Sequence, residues 1–193
     1  FGSRRVLKEV SFDLKTGDSL AVVGKNGSGK TTLLKVLSGL ISPGSGQVVF
    51  RDGERKMEEA EIRRKLSFVG PELNLYETLT ALENLEFFAT MRGLELGREL
   101  ADKILDMVGL GGRGRDYFGA YSSGMKQRLK YAVALLSDPD FLLLDEPSAN
   151  LDDEGRVIVS QIMERQKKRG ILIIATNERE EYAFAERQYR LDG

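Results

Sequence analysis

The sequence contains no cysteine, no histidine and no tryptophan, and only four prolines among its 193 residues. Without thiols there is no disulfide framework, no thiolate metal site and no cysteine nucleophile. Without imidazole the chain lacks the commonest metal ligand and the one side chain that ordinarily titrates near neutrality. A strong charge of one sign is also lacking, since 29 Lys and Arg face 30 Asp and Glu and leave a net charge of −1. That balance argues against a nucleic-acid partner and against direct attachment to acidic lipid. No apolar run approaches the ~18 residues a membrane span needs. What is present is ordinary for a globular domain: 41% hydrophobic and 31% charged residues. The length allows one domain with a sizeable core. A cytoplasmic domain is the expectation. Because the chain opens at Phe1 rather than methionine, an N-terminal edge strand is expected to precede it.

Three short apolar runs lie next to helical patterns. Ser19–Val23 leads into a glycine-rich loop and a helix over 31–40; residues 141–144 sit between helical patterns over 125–136 and 153–168; residues 171–175 lead into a helix over 179–184. Apolar runs this continuous read as strands covered on both faces, so the fold class is α/β with a parallel sheet. Residues 6–14 alternate apolar and polar, and 47–50 lead to the hairpin signal Asp52-Gly53, which together suggest a small antiparallel sheet beside the main one. Residues 56–65 read as a solvated charged connection. Helical spacing over 80–91 and 99–108 points to a helical lobe, with Gly111-Gly112-Arg113-Gly114 as a hinge.

Gly24-Lys25-Asn26-Gly27-Ser28-Gly29-Lys30-Thr31 fits the pattern G-x-x-x-x-G-K-[ST], with Thr32 next inside the following helix. The glycines let backbone N–H groups close on phosphate oxygens, and the helix that follows adds its positive end. Lys30 is placed to reach the β- and γ-phosphates, and the Thr31 hydroxyl to ligate Mg²⁺. Phe141-Leu142-Leu143-Leu144-Asp145-Glu146 supplies a strand ending in two carboxylates. Asp145 is read as holding Mg²⁺ through water and Glu146 as orienting or deprotonating the attacking water. A strand ending in an acid is common, so this second motif draws its weight from the first.

Tyr121-Ser122-Ser123-Gly124-Met125-Lys126-Gln127-Arg128 opens a helix, and Ser122 or Ser123 would serve as an ordinary N-cap. The same segment resembles the signature motif of ABC ATPases, usually L-S-G-G-Q, here in a Y-S-S-G-M form. The resemblance runs nearly the length of the chain. Phe1 stands where that family stacks an aromatic on adenine, residues 147–152 look like the loop that crosses its dimer interface, and residues 79–85 look like its entry to the helical lobe. The resemblance implies a P-loop NTPase (RecA-like) core over 1–71 and 120–193 with a helical subdomain over 72–119, all in one domain. It implies ATP and Mg²⁺ as ligands, and a head-to-tail dimer with a second ABC subunit in which Ser122, Ser123 and Gly124 close on the partner's nucleotide. It also implies separate membrane permease subunits, an ATPase peripheral at the inner face of the cell membrane, and no nucleic acid.

Two departures from the family pattern stand out. Where the family carries a glutamine after its strand, this chain has Gly70-Pro71-Glu72; Glu72 could ligate Mg²⁺ but has no N–H to donate. Where it carries A-T-H, this chain has Ala175-Thr176-Asn177. Asn177 can donate to phosphate but cannot titrate. A hydrolysis-poor regulatory ABC domain is therefore a rival reading, as is a soluble ABC ATPase acting on DNA or ribosomes. Within the family the compact form is similar to haem-exporter ATPases of cytochrome c maturation, and the signature form also suits exporters of drugs, antibiotics or polysaccharides.

Overall fold

In the computed structural model, which describes residues 6–191, five strands form one parallel sheet. They are β1 (Ser19–Val23), β4 (Leu66–Val69), β5 (Phe141–Asp145), β6 (Ile171–Thr176) and β7 (Arg187–Arg190), in the order β4-β5-β6-β1-β7. Their middle members are covered on both faces: Val22, Leu142, Leu144, Leu172 and Ile174 are fully buried. Each such aliphatic side chain contributes about 1.5–3 kcal/mol on leaving water. This is why continuous apolar runs, without alternation, became strands. Register places Val23 beside Thr176 and Asp145 beside Ala175, so the carboxyl ends of β1, β5 and β6 meet at one edge.

Helices cover both faces. Helix α1 (Lys30–Leu37) buries Leu33 and Leu34, and α6 (Asp153–Lys167) buries Val159, Ile162 and Met163. Between β4 and β5 the chain inserts α3 (Ala81–Met91), α4 (Arg98–Met107) and α5 (Ser123–Leu135). Leu82, Leu85, Ile104, Leu105 and Leu129 pack together there. Thr80 starts α3 with a reciprocal cap: its hydroxyl accepts from Glu83 N at 3.2 Å, and the Glu83 carboxylate accepts from Thr80 N at 2.7 Å. A short helix α7 (Arg179–Tyr182) follows β6.

Four expectations need correction. Residues 6–14 form no strand; Val10, Phe12 and Leu14 pack on the core, so their alternation reports burial without pairing. The antiparallel sheet is a single hairpin of β2 (Arg51–Asp52) and β3 (Arg55–Lys56), turning at Gly53 with φ 60°, and 47–50 stay outside it. The charged stretch folds as helix α2 (Glu59–Lys65), with acids in its first turn and bases in its last. That order suits the helix dipole, and the absence of a buried stripe hid it from periodicity. Gly111–Gly114 is a tied turn, not a loose hinge. Leu82 N donates to Gly114 O at 2.9 Å, and a Cβ on Gly114 would sit 2.9 Å from Leu105 and Leu82 carbons.

Candidate functional site

The loop from Gly24 to Gly29 turns out of β1 straight into α1. Gly27 and Gly29 adopt φ 80° and 102°, a region that costs a residue with a Cβ. At Gly24 the close approach matters too, since a Cβ there would lie 2.6 Å from Leu191 O and 2.5 Å from Ser28 Oγ. Lys30, only 6% exposed, folds its ammonium back over the loop, donating to Gly24 O at 2.9 Å. It also donates to Lys25 O at 3.4 Å and to Asn177 Oδ1 at 2.7 Å, and lies 3.9 Å from Glu146 Oε1. Asn177 Nδ2 donates in turn to Asn26 Oδ1, so one amide just past β6 is tied both to the middle of the loop and to the first residue of α1. Lys25, Asn26 and Gly27 are exposed, while Ser28 is buried with its hydroxyl unpartnered.

At the second residue of α1, the Thr31 hydroxyl donates to Asp145 Oδ2 at 2.6 Å, joining the loop to the end of β5. Thr32 sits beside it, partly exposed. Desolvation raises the Asp145 carboxyl pKa, with Thr31 and Lys30 opposing the shift. Desolvation likewise raises Glu146, against Lys30 and with Glu181 and Asp145 adding like-charge repulsion. Glu146 sits at φ 47°, just before Pro147. A left-handed residue preceding proline is strained twice over, and such strain persists only where neighbours enforce it.

A phosphate chain with Mg²⁺ fits these residues. The buried, unpartnered Ser28 hydroxyl and the close-set loop leave polar groups seeking an anion, and Lys30 supplies the charge. Thr31 and Asp145 offer hard oxygen donors of the kind Mg²⁺ takes when phosphates and water complete its shell. Among the described residues no cluster of three or more His, Cys, Asp or Glu could hold a metal unaided. That is the usual economy of a Mg–nucleotide site.

The remaining expected residues fall elsewhere. Glu72 is exposed and ion-paired with Lys35 of α1; its charge reaches Asp145 as the weakest of the influences on that group. Ser122 caps α5, its hydroxyl accepting from Met125 N at 3.2 Å, with Ser123 exposed and Gly124 near Asn150 O. No hydrogen bond among the described residues joins these three to the loop at Gly24–Gly29. Phe1 lies outside the described residues. Sequence reading passed over Tyr131 and Glu181, which hold the loop after Glu146. Neither sits in a motif, and 50 residues separate them, so the sequence carries no sign that they meet.

Known proteins resemble this chain in sequence and in fold. The chain is 35% identical over 179 residues to the linearmycin resistance ATP-binding protein LnrL of Bacillus subtilis, covering 92% of this chain and 58% of LnrL. It is 35% identical over 179 residues to the cytochrome c biogenesis ATP-binding export protein CcmA of Pseudomonas aeruginosa, covering 93% of this chain and 88% of that one. The structure of the ATP-binding cassette MJ0796, a dimer in a post-hydrolysis state with ADP and Pi, superposes with a TM-score of 0.85 at 29% identity, over 97% of this chain and 86% of that one. This chain thus spans little more than half of LnrL and most of CcmA. Among the described residues no helix is long and apolar enough to cross a membrane. Residues 7–149 match the model of the family described as ABC transporter, and with the site above, the chain belongs to that family as an ATP-binding domain.

Proposed function

We propose that this chain binds ATP with Mg²⁺ and hydrolyses it to energise a transporter whose path lies in separate membrane permease subunits. The observation that supports this most is the meeting of Lys30, the Thr31–Asp145 pair and Glu146 at the carboxyl ends of β1 and β5. Ligands of open α/β sheets bind at that edge. Lys30 exchanges its present acceptors for phosphate oxygens and neutralises charge on the transferred group. Thr31 and Asp145 would hold Mg²⁺, which supplies further charge neutralisation on the phosphates. Glu146, made more basic by burial, takes the proton of the attacking water. Asn177 releases Lys30 and turns its amide N–H to phosphate; Glu72 is assigned an outer role towards the metal through Lys35 and Asp145.

The start of α5, with Ser122 and Ser123 exposed and Gly124 partly so, fits a second cassette closing head to tail on the nucleotide, as does the dimeric state of MJ0796. Phe1 is assigned to the adenine. Exposed Tyr76, Phe87 and Met91 on the lobe over 72–119 offer an apolar face to a permease, which supports a position at the inner face of the membrane. The similarity to CcmA, an export protein, supports export. Lys30→Ala is expected to abolish ATP binding in a fluorescent-nucleotide titration; unchanged affinity would sink the assignment. A regulatory, hydrolysis-poor role is the second reading, favoured by Asn177 in place of a titrating residue. Turnover restored only by Asn177→His would support it.

A further inference from the structure

The peptide bond joining Pro147 to Ser148 is held at both polar ends by buried side chains from two different helices. Tyr131 of α5, 1% exposed, donates its hydroxyl to Pro147 O at 2.6 Å. Glu181 of α7, 3% exposed, accepts Ser148 N–H on Oε1 at 2.9 Å. The other Glu181 oxygen is buried without a partner. This peptide follows immediately on Glu146, whose strained φ of 47° comes just before proline. The Glu146 N–H donates to Ala175 O at 2.8 Å, and Glu146 O accepts from Ala149 N at 3.0 Å. A backbone in that region relaxes unless its surroundings over-determine it.

We infer that Tyr131 and Glu181 are positioning residues for hydrolysis: together they clamp the Pro147–Ser148 peptide and so hold the Glu146 carboxylate at the nucleotide. The inference rests on the assignment of Glu146 as base. Burying a carboxylate with one oxygen unsatisfied is costly, so the hold on the Ser148 N–H is kept at some expense of stability. Tyr131 sits in the helix opened by Ser122-Ser123-Gly124, and Glu181 four residues after Asn177. The clamp therefore joins the helix behind one nucleotide-facing surface, and the segment carrying Asn177, to the base. The charged groups that influence Glu146 are Lys30 from α1, Asp145 from β5 and Glu181 from α7, with the Asn177 backbone as a hydrogen-bond partner.

Tyr131→Phe removes one oxygen and keeps the ring; Glu181→Ala removes the acceptor; in Glu181→Gln the amide oxygen still accepts Ser148 N–H. ATP hydrolysis by these variants and by Glu146→Gln, under single- and multiple-turnover conditions, separates the effects. Expected are kcat losses of about 10- to 100-fold in Tyr131→Phe and Glu181→Ala, with KM for ATP within about 3-fold of the parent. Glu181→Gln is expected to recover most of the rate. Should Glu181→Ala fail to fold, Tyr131→Phe carries the test. Parental kcat in Tyr131→Phe, or a loss expressed in KM, overturns the clamp if Glu146→Gln is inactive. Parental hydrolysis by Glu146→Gln overturns the base assignment itself.

Discussion

The Lys30 ammonium donates to the side-chain oxygen of Asn177 at 2.7 Å, across 147 residues of sequence. The lysine of the phosphate loop thus rests on the amide that occupies the end of β6. Binding a nucleotide has to exchange this contact for phosphate oxygen, and a neutral amide gives it up more readily than a carboxylate would. Asn177→Asp, nearly isosteric, would strengthen the hold on Lys30 and set a negative charge towards the terminal phosphate. ATP affinity is expected to fall by about 10-fold or more, and ADP affinity by less. Titration of both nucleotides checks this; equal losses would place Asn177 away from the γ-phosphate.

Thr31 and Asp145, the pair proposed to face the metal, lie 2.6 Å apart. Thr31→Val keeps the shape of the side chain and removes its oxygen. The Mg²⁺ concentration giving half-maximal hydrolysis is expected to rise by at least ~10-fold, while metal-free nucleotide binding changes little. An unchanged Mg²⁺ dependence would remove Thr31 from the metal shell.

Burial raises the carboxyl pKa of both Asp145 and Glu146, with desolvation the largest cause in each. The folded chain therefore keeps these protons to higher pH than the unfolded chain does. Across the window from the ordinary carboxylate pKa up to the raised one, native stability falls as pH rises. Glu146→Gln removes that group's share, so its melting temperature is expected to fall less than the parent's as pH rises from the ordinary carboxylate range through the raised one. Parallel curves would contradict the shift. Burying ionised carboxylates at neutral pH is a cost in stability accepted for function.

The helical lobe rests in part on the cap at Thr80. Thr80→Ala is expected to lower stability by about 1 kcal/mol, with Thr80→Ser recovering most of it. Chemical denaturation measures both; equal losses would mean the cap contributes nothing.

Where burial was complete the sequence was easy to read. Leu142 to Leu144 and Leu172 to Ile174 form uniform apolar runs because water reaches neither face of the sheet, and the loop at Gly24 declares itself through its glycines. Helix α2 escaped because charge order and a bidentate Arg55–Glu61 pair, both bonds at 2.9 Å, support it without a buried stripe. Val10, Phe12 and Leu14 misled because burial on one side gives the same alternation as a strand. Glu72 and Asn177 could be named but not placed, since their partners, Lys35 and Lys30, depend on tertiary approach. The clamp on the Pro147–Ser148 peptide was invisible for the same reason.

The most direct test is ATP hydrolysis by the purified chain beside Glu146→Gln, with nucleotide binding followed in both. The expected result is turnover in the parent that falls by at least ~100-fold in the variant, as loss of a general base requires, while ATP still binds. Hydrolysis by Glu146→Gln at the parental rate would contradict the role given to Glu146 and the mechanism built on it.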